Sequence, residues 1–325
     1  MRQQLRRFAS LAFVIALVPF GLIAAEPGLS LVPPDALAVG VANLAQFRSS
    51  PIAGQLFDQA DKMTVDGEGG RLLEQMGLKP SEDLDVVTFA LAPNSDARAE
   101  ANVLVAFEGR FDPARIAAVM QEHGAVRKVG PDGAWFVLGS DADGSESGAV
   151  ALLNSRMIVA GSEILVKQAM AYSRQGGSSF LAAGGLAHDL DQIDPTASAW
   201  SLVDVPRMAR LQDHDWKADA SHPGFALAQS LKKVSTFAIW TTDDGKSMTF
   251  GATALSTDAE TRQLLEDAAK GVLAAWRLAA NEKDPDLVNV IRGFNVKQTP
   301  RGVRLTGSVS GDMLAKFQAR HVKPM

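Results

Sequence analysis

The chain contains no cysteine in 325 residues. That excludes disulfides, thiolate metal sites and a cysteine nucleophile. It also excludes a lipid anchor on an N-terminal cysteine. Stability must therefore come from an apolar core, and 46% hydrophobic content supplies one. Basic residues are short: 32 Lys+Arg stand against 37 Asp+Glu. Three of the 32 (Arg2, Arg6 and Arg7) lie in residues 1–25, which hold no acid, so the rest carries 29 against 37, a net of −8. No basic run follows, which argues against nucleic acid or an anionic lipid surface as partner. Aromatic surface is scarce, with five Trp and the single Tyr172. Catalytic signatures are missing too. There is no Gly-x-Ser-x-Gly elbow, no His-Glu-x-x-His and no phosphate loop ending in Lys-Ser or Lys-Thr. No cofactor is expected.

The N-terminus has a definite pattern. Three arginines precede an apolar run from Phe8 to Ala25, broken by Pro19 and Gly21 and ended by Glu26-Pro27. A positive start, a short apolar core and a small-residue exit read as a secretory signal peptide over residues 1–25. The part free of polar residues and glycine, Leu11 to Phe20, is shorter than the ~20 apolar residues that span a bilayer. Cleavage is expected after Ala25, or next after Ala24; an uncleaved anchor is the alternative. No transmembrane segment is expected after cleavage.

The remainder reads as α+β: two similar tandem domains, residues 26–174 and 195–325, each a mainly antiparallel sheet with helices on one face. A linker, 175–194, joins them and is rich in Gly and Ser from Gln175 to Gly185. Each half opens with Pro and a strand, at Pro34 to Val41 and at Pro195 to Leu202. A polar, partly helical stretch follows. Then comes a strand with a similar core, Val87-Thr88-Phe89-Ala90-Leu91 matched to Ser235-Thr236-Phe237-Ala238-Ile239. After a second strand, Asp112 and Thr257-Asp258 begin helices. Each half has a hairpin, at Pro131-Asp132-Gly133 and Pro300-Arg301-Gly302, where Pro presets φ and Gly relaxes it. Both faces of Val103 to Phe107 are apolar, so that strand should be central. The helix from Asp258 to about Ala280 places Leu265, Ala269, Val272 and Trp276 on one stripe for burial, with Arg262, Glu266, Lys270 and Arg277 in water. Ser162 should cap a further helix carrying Leu165, Ala169 and Met170.

Few residues carry candidate chemistry. Asp213-His214-Asp215-Trp216, with Asp219 and His222, combines imidazole and carboxylate, a zinc-type ligand set. The candidates are Asp213, His214 and His222, but the histidines are spaced eight apart and a solvated loop is the plainer reading. Asp141 to Glu146 resembles the start of a calcium loop but lacks its later ligands, and reads as a hairpin turn. Ser230 and Lys233 form a Ser-x-x-Lys pair without the accompanying motifs. Gly67-Glu68-Gly69-Gly70 has no strand before it and reads as a flexible turn rather than a nucleotide cradle.

The start Leu31-Val32-Pro33-Pro34-Asp35, the strand after it and Phe47-Arg48-Ser49-Ser50-Pro51 resemble uncharacterised exported bacterial proteins. In these a Leu-Pro-x-Asp start leads into a strand and a helix near Ser-Pro. Met157 to Ser162, as strand, turn and helix start, is similar too. The resemblance implies a periplasmic or cell-envelope location and brings no activity, cofactor or catalytic residue. The leading expectation is a non-catalytic bacterial envelope protein that binds a small apolar ligand or an envelope protein where its domains meet. One alternative is a hydrolase, metal-assisted or otherwise, with a site around 213–222. Another is a lipid or lipoprotein carrier, which requires an open apolar sheet face.

Overall fold

Among the described residues, period-two apolar patterning becomes twelve strands joined edge to edge. The structure, a computed structural model, describes residues 27–50, 68–94, 101–139, 148–211, 233–281 and 284–321. The first seven strands are β1 (Ala38–Asn43), β2 (Leu84–Ala92), β3 (Asn102–Gly109), β4 (Val126–Gly130), β5 (Gly133–Leu138), β6 (Gly148–Asn154) and β7 (Met157–Ser162). The rest are β8 (Ala199–Asp204), β9 (Thr236–Asp243), β10 (Ser247–Leu255), β11 (Asn295–Gln298) and β12 (Gly302–Ser310). They form one antiparallel sheet in the order β11-β12-β10-β9-β8-β1-β2-β3-β7-β6-β5-β4. The two halves of the chain meet where β1 pairs with β8, Gly40 opposite Ser201.

Local chemistry explains the ends of the elements. In the β9–β10 turn the Asp244 carboxylate accepts from the amides of Lys246 (2.9 Å) and Ser247 (2.7 Å). Those bonds hold its pKa below the usual carboxylate value. Asp112 caps α4 (Pro113–Glu122), accepting from the amides of Ala114 and Arg115. Asp258 does the same for α7 (Ala259–Asn281) through Thr261. Ser162 occupies the N-cap of α5 (Glu163–Gln175), but its hydroxyl accepts from the amide of Val103 instead of capping. Gly176 ends α5 in the left-handed conformation, φ 88°.

Helices lie on both faces of the sheet, not on one. Alternation along β5 settles this. Trp135 and Val137 pack with Leu165, Val166 and Met170 of α5, whereas Phe136 between them packs with Ile116 and Met120 of α4. Strands apolar on both sides require cover on both sides. On the α5 face lie two buried segments, a 3₁₀ turn Pro27–Leu31 and the stretch 180–192. On the opposite face are α1 (Leu44–Arg48), α4, α7, α8 (Pro285–Arg292) and α9 (Gly311–His321). The remaining described helices are α2 (Glu68–Met76), α3 (Pro80–Asp83) and α6 (Val205–Leu211). Among the described residues no helix is long and apolar enough to cross a membrane.

The linker segment is packed rather than free. Its Phe180, Leu186 and Ile193 are buried, and two 3₁₀ helices, Phe180–Ala182 and Gly185–Gln192, lie along it. The lead-ins to β1 and β8 make the same bonds. The amide of Val32 donates to Leu29 O and that of Ile193 to Leu190 O; the amide of Ala36 donates to Pro33 O and that of Ala197 to Asp194 O. Leu37 then donates to Leu91 O and Ser198 to Thr241 O. Past each strand, Asn43 accepts from the Gln46 amide (2.9 Å) and Asp204 from the Arg207 amide (3.0 Å). These bonds equate Leu91 with Thr241, and so Phe89 with Ile239. The sequence match of Phe89 with Phe237 is two residues off, a shift that keeps the same face because the side-chain period is two.

The stripe on α7 also differs from expectation. Leu265, Leu273 and Ala280 are buried, while Trp276 is 59% exposed. Arg277 turns inward and donates to Ile291 O at 3.3 Å. The contact with α8 near the end of α7 draws in the flank that carries Leu273 and Ala280, so Trp276 is left at the margin.

Candidate functional site

The densest polar cluster serves the linker. The Arg301 guanidinium, beside the β11–β12 turn, donates to both carboxylate oxygens of Asp191 (2.7 and 2.9 Å) and to Asp189. It also lies 3.2 Å from His188 Nδ1. Asp189 accepts from the Thr236 hydroxyl at 2.7 Å. Arg304 on β12 donates to Gln192 O (3.1 Å) and stacks 5.0 Å from the Trp240 ring. Partial burial pushes Asp191 up, but bonds from Gln192 and Arg301 outweigh it and leave the pKa lowered. These bonds hold 185–192 on the sheet.

A second group lies at the other end. Glu163 accepts from Trp135 Nε1 (2.9 Å) and Lys128 Nζ (3.2 Å), and Lys167 sits 5.4 Å from the Trp135 ring. Arg48 donates to Ser81 O (2.6 Å) and Leu84 O, and Arg115 to Gln75 O (2.6 Å) and Glu74 O (3.0 Å). These two cations finish the short helices α3 and α2. Glu108 on β3 accepts from the Gly28 amide at 2.9 Å. Burial raises its pKa, against that bond and the charge of Arg156.

Asp213, His214 and His222 lie outside the described residues, as do Asp141 to Glu146 and Ser230. Glu68-Gly69-Gly70 forms the first turn of α2 instead of a free turn. Among the described residues no group of three or more His, Asp or Glu is arranged to hold a metal ion.

What remains is apolar and lies at the seam between the halves, on the face opposite α5. The pairing register sets two rows there. One runs Leu91–Ala38–Val203–Phe237 and the next runs Phe89–Gly40–Ser201–Ile239–Ala252. The floor along β1 and β8 is small, and Ala38, Gly40 and Ser201 are buried. Phe89 leans across Gly40, whose absent Cβ makes the room. The flanks are large: Leu91 and Phe89 on one side, Val203 and Ile239 on the other, all half-buried. The packed clusters on this face border the strip: one under α7 and α8 takes in Phe237, one under α4 has its buried residues beyond β3, and one under α1 with α9 crosses the seam at Ala42 and Ala199 and takes in Phe89. Leu91, Val203, Ile239 and Ala252 stand outside these clusters among the described residues. From β2 to β10 the strip crosses four strand spacings, roughly 19 Å. No charged side chain occupies these two rows. Sequence reading marked these residues as ordinary strand core, because nothing local announces that β1 will pair with β8.

No protein-family model and no curated protein sequence matches the chain. Among solved structures, crystal form III of TP0453 is similar with a TM-score of 0.48 at 8% identity, covering 90% of this chain and 97% of that one. Crystal form I of TP0453 gives 0.45 at 9% identity, covering 92% and 98%.

Proposed function

We propose that this is an exported, non-catalytic protein of the bacterial envelope that binds an apolar ligand of the acyl-chain class along the seam strip. The observation that carries the reading is the run of half-buried Leu91, Phe89, Val203, Ile239 and Ala252 over a floor of Ala38, Gly40 and Ser201. A long, narrow, uncharged strip suits a flexible hydrocarbon, because each methylene moved out of water contributes about 0.8 kcal/mol. Export rests on the residue pattern of 1–25. It is supported by the packing that starts just beyond the expected cut, where Gly28, Leu29 and Leu31 are already buried. Periplasmic or surface-exposed placement follows from that reading.

A duplication is part of the same proposal. Two copies of a unit, each starting at a 3₁₀ turn, would meet through β1 and β8 as a two-fold dimer meets through like strands. The paired lead-in bonds and the matched Asn43 and Asp204 caps support it. The ligand strip then lies on the local two-fold axis, with Phe89 and Ile239 as equivalent walls.

The test is a titration of the purified processed protein with cis-parinaric acid, followed by displacement with palmitate. Saturable fluorescence enhancement is expected, and Ile239→Glu should weaken it at least about tenfold with its melting temperature within a few degrees of the parent. No saturable binding, or equal binding by a folded Ile239→Glu, overturns the reading.

A further inference from the structure

The two edges of the sheet are unlike. At one end β11 is four residues long and lies against α7. At the other end, among the described residues, β4 pairs with β5 on its inner side only. Every residue from Val126 to Val129 is exposed, Val126 at 60% and Val129 at 67%. The hairpin register fixes which backbone groups remain open. A two-residue turn, Pro131-Asp132, makes Gly130 and Gly133 the closing pair, so residues 126, 128 and 130 spend their amides and carbonyls on β5. The N–H and C=O of Arg127 and Val129 therefore point off the sheet. No proline or bulge interrupts β4.

Four cations gather at this edge, with two acids, Asp132 and Glu163, among them. Arg127 and Lys128 lie on β4, with Lys167 and Arg174 behind it on α5. Lys128 is partnered by Glu163 and Arg174 by Asp132 (3.9 Å). Arg127 makes no ion pair among the described residues. A second copy pairing antiparallel through β4 would set Arg127 or Lys128 against the like charges of its twin, which is unfavourable directly across a ladder. The same charges favour an acidic strand.

We propose that β4 is a docking edge for an extended acidic segment of another protein, which adds a thirteenth, antiparallel strand. On the face shared by Arg127 and Val129, the partner would place an acid opposite Arg127 and a β-branched residue opposite Val129. On the face of Val126 and Lys128, it would place an apolar residue and a second acid. Reading antiparallel, the matching pattern is Val-Glu-Glu-Val opposite Val129 to Val126.

The probe is the blocked peptide Ser-Thr-Val-Glu-Glu-Val-Thr, compared with Ser-Thr-Val-Lys-Lys-Val-Thr, at low and at physiological salt. Amide NMR on the full chain reads the result. The acidic peptide should shift and protect the Arg127 and Val129 amides, and should bind at least about fivefold tighter than the lysine peptide at low salt. Val129→Pro removes one outward donor and should abolish the shifts. Arg127→Glu/Lys128→Glu should reverse the peptide preference, which keeps the test decisive if the proline variant unfolds. Equal binding of the two peptides, or shifts located away from β4, overturns the proposal. Protection of Arg127 and Val129 that grows with protein concentration without peptide also overturns it, because a second copy is then the occupant.

Discussion

Gly251 sits in the middle of β10, where two physical effects predict opposite outcomes for one methyl group. Its backbone is ordinary strand, so Gly251→Ala would by itself stabilise by roughly 0.4–1 kcal/mol through loss of freedom in the unfolded chain. The fold says otherwise. A Cβ at this position would overlap Cε2 and Cζ2 of Trp240 and lie 2.8 Å from its Cδ2. The indole cannot easily retreat: it is 2% exposed, and the Arg304 guanidinium lies 5.0 Å from its ring, held by Thr253 and Gln192. Forcing a carbon into such a place costs about 1–3 kcal/mol. The net expectation is a loss of about 1–2 kcal/mol. At about 2–4 °C per kcal/mol for chains of this order, the melting temperature should fall roughly 2–8 °C. Urea unfolding followed by tryptophan fluorescence measures the loss, and Trp240→Leu completes a cycle. In that background the clash is relieved and Gly251→Ala should be near neutral, a coupling of about 1 kcal/mol or more. A parent protein that is unchanged or stabilised by Gly251→Ala would refute the packing described for this face.

Two further outcomes follow from the ionised groups. The folded-state pKa of Glu108 is raised, chiefly by burial, with Gly28 and Arg156 opposing and Asp85 reinforcing. Its contribution is therefore fully present below the ordinary value of 4.5 and lost as pH rises through the folded value. Glu108→Gln should accordingly shrink the stability difference between pH 4 and pH 7, read from urea midpoints at the two values. At the other end of the sheet, Arg301→Ala strips the mostly buried Asp189 of its cation, and a loss of about 1–3 kcal/mol is expected. Limited proteolysis should then cut faster within 185–194 than in the parent. Asp191 has a lowered pKa, so its part of that loss is present above the unfolded value and fades as pH falls through the folded value.

Local grammar was well written in the chain. Alternation placed the strands, Asp112 and Asp258 announced helix starts, and Pro131-Asp132-Gly133 turned a hairpin where it was expected. Elements whose neighbours lie nearby in sequence could be read because their determinants are local: a cap accepts from amides two or three residues on, and a turn closes over four residues. Pro34 and Pro195 precede lead-ins with like backbone bonds, and by those bonds Phe89 corresponds to Ile239 and not to Phe237, two residues away. A shift of two leaves every side chain on its face, so hydrophobic pattern cannot detect it.

Composition and order of residues by themselves determined that the fold has no disulfides, rests on an apolar core and alternates strands with capped helices. Tertiary structure alone decided that the halves share one sheet, that helices cover both its faces, and that Arg301 holds the stretch 185–192 on the sheet. It also decided that Trp276 faces out and that Leu91, Val203 and Ile239 line a common seam. The physical reason is the range of the contacts. β1 finds β8 across more than a hundred and fifty residues of chain. The pairing depends on which edges remain open after each half has formed, and no local pattern records that.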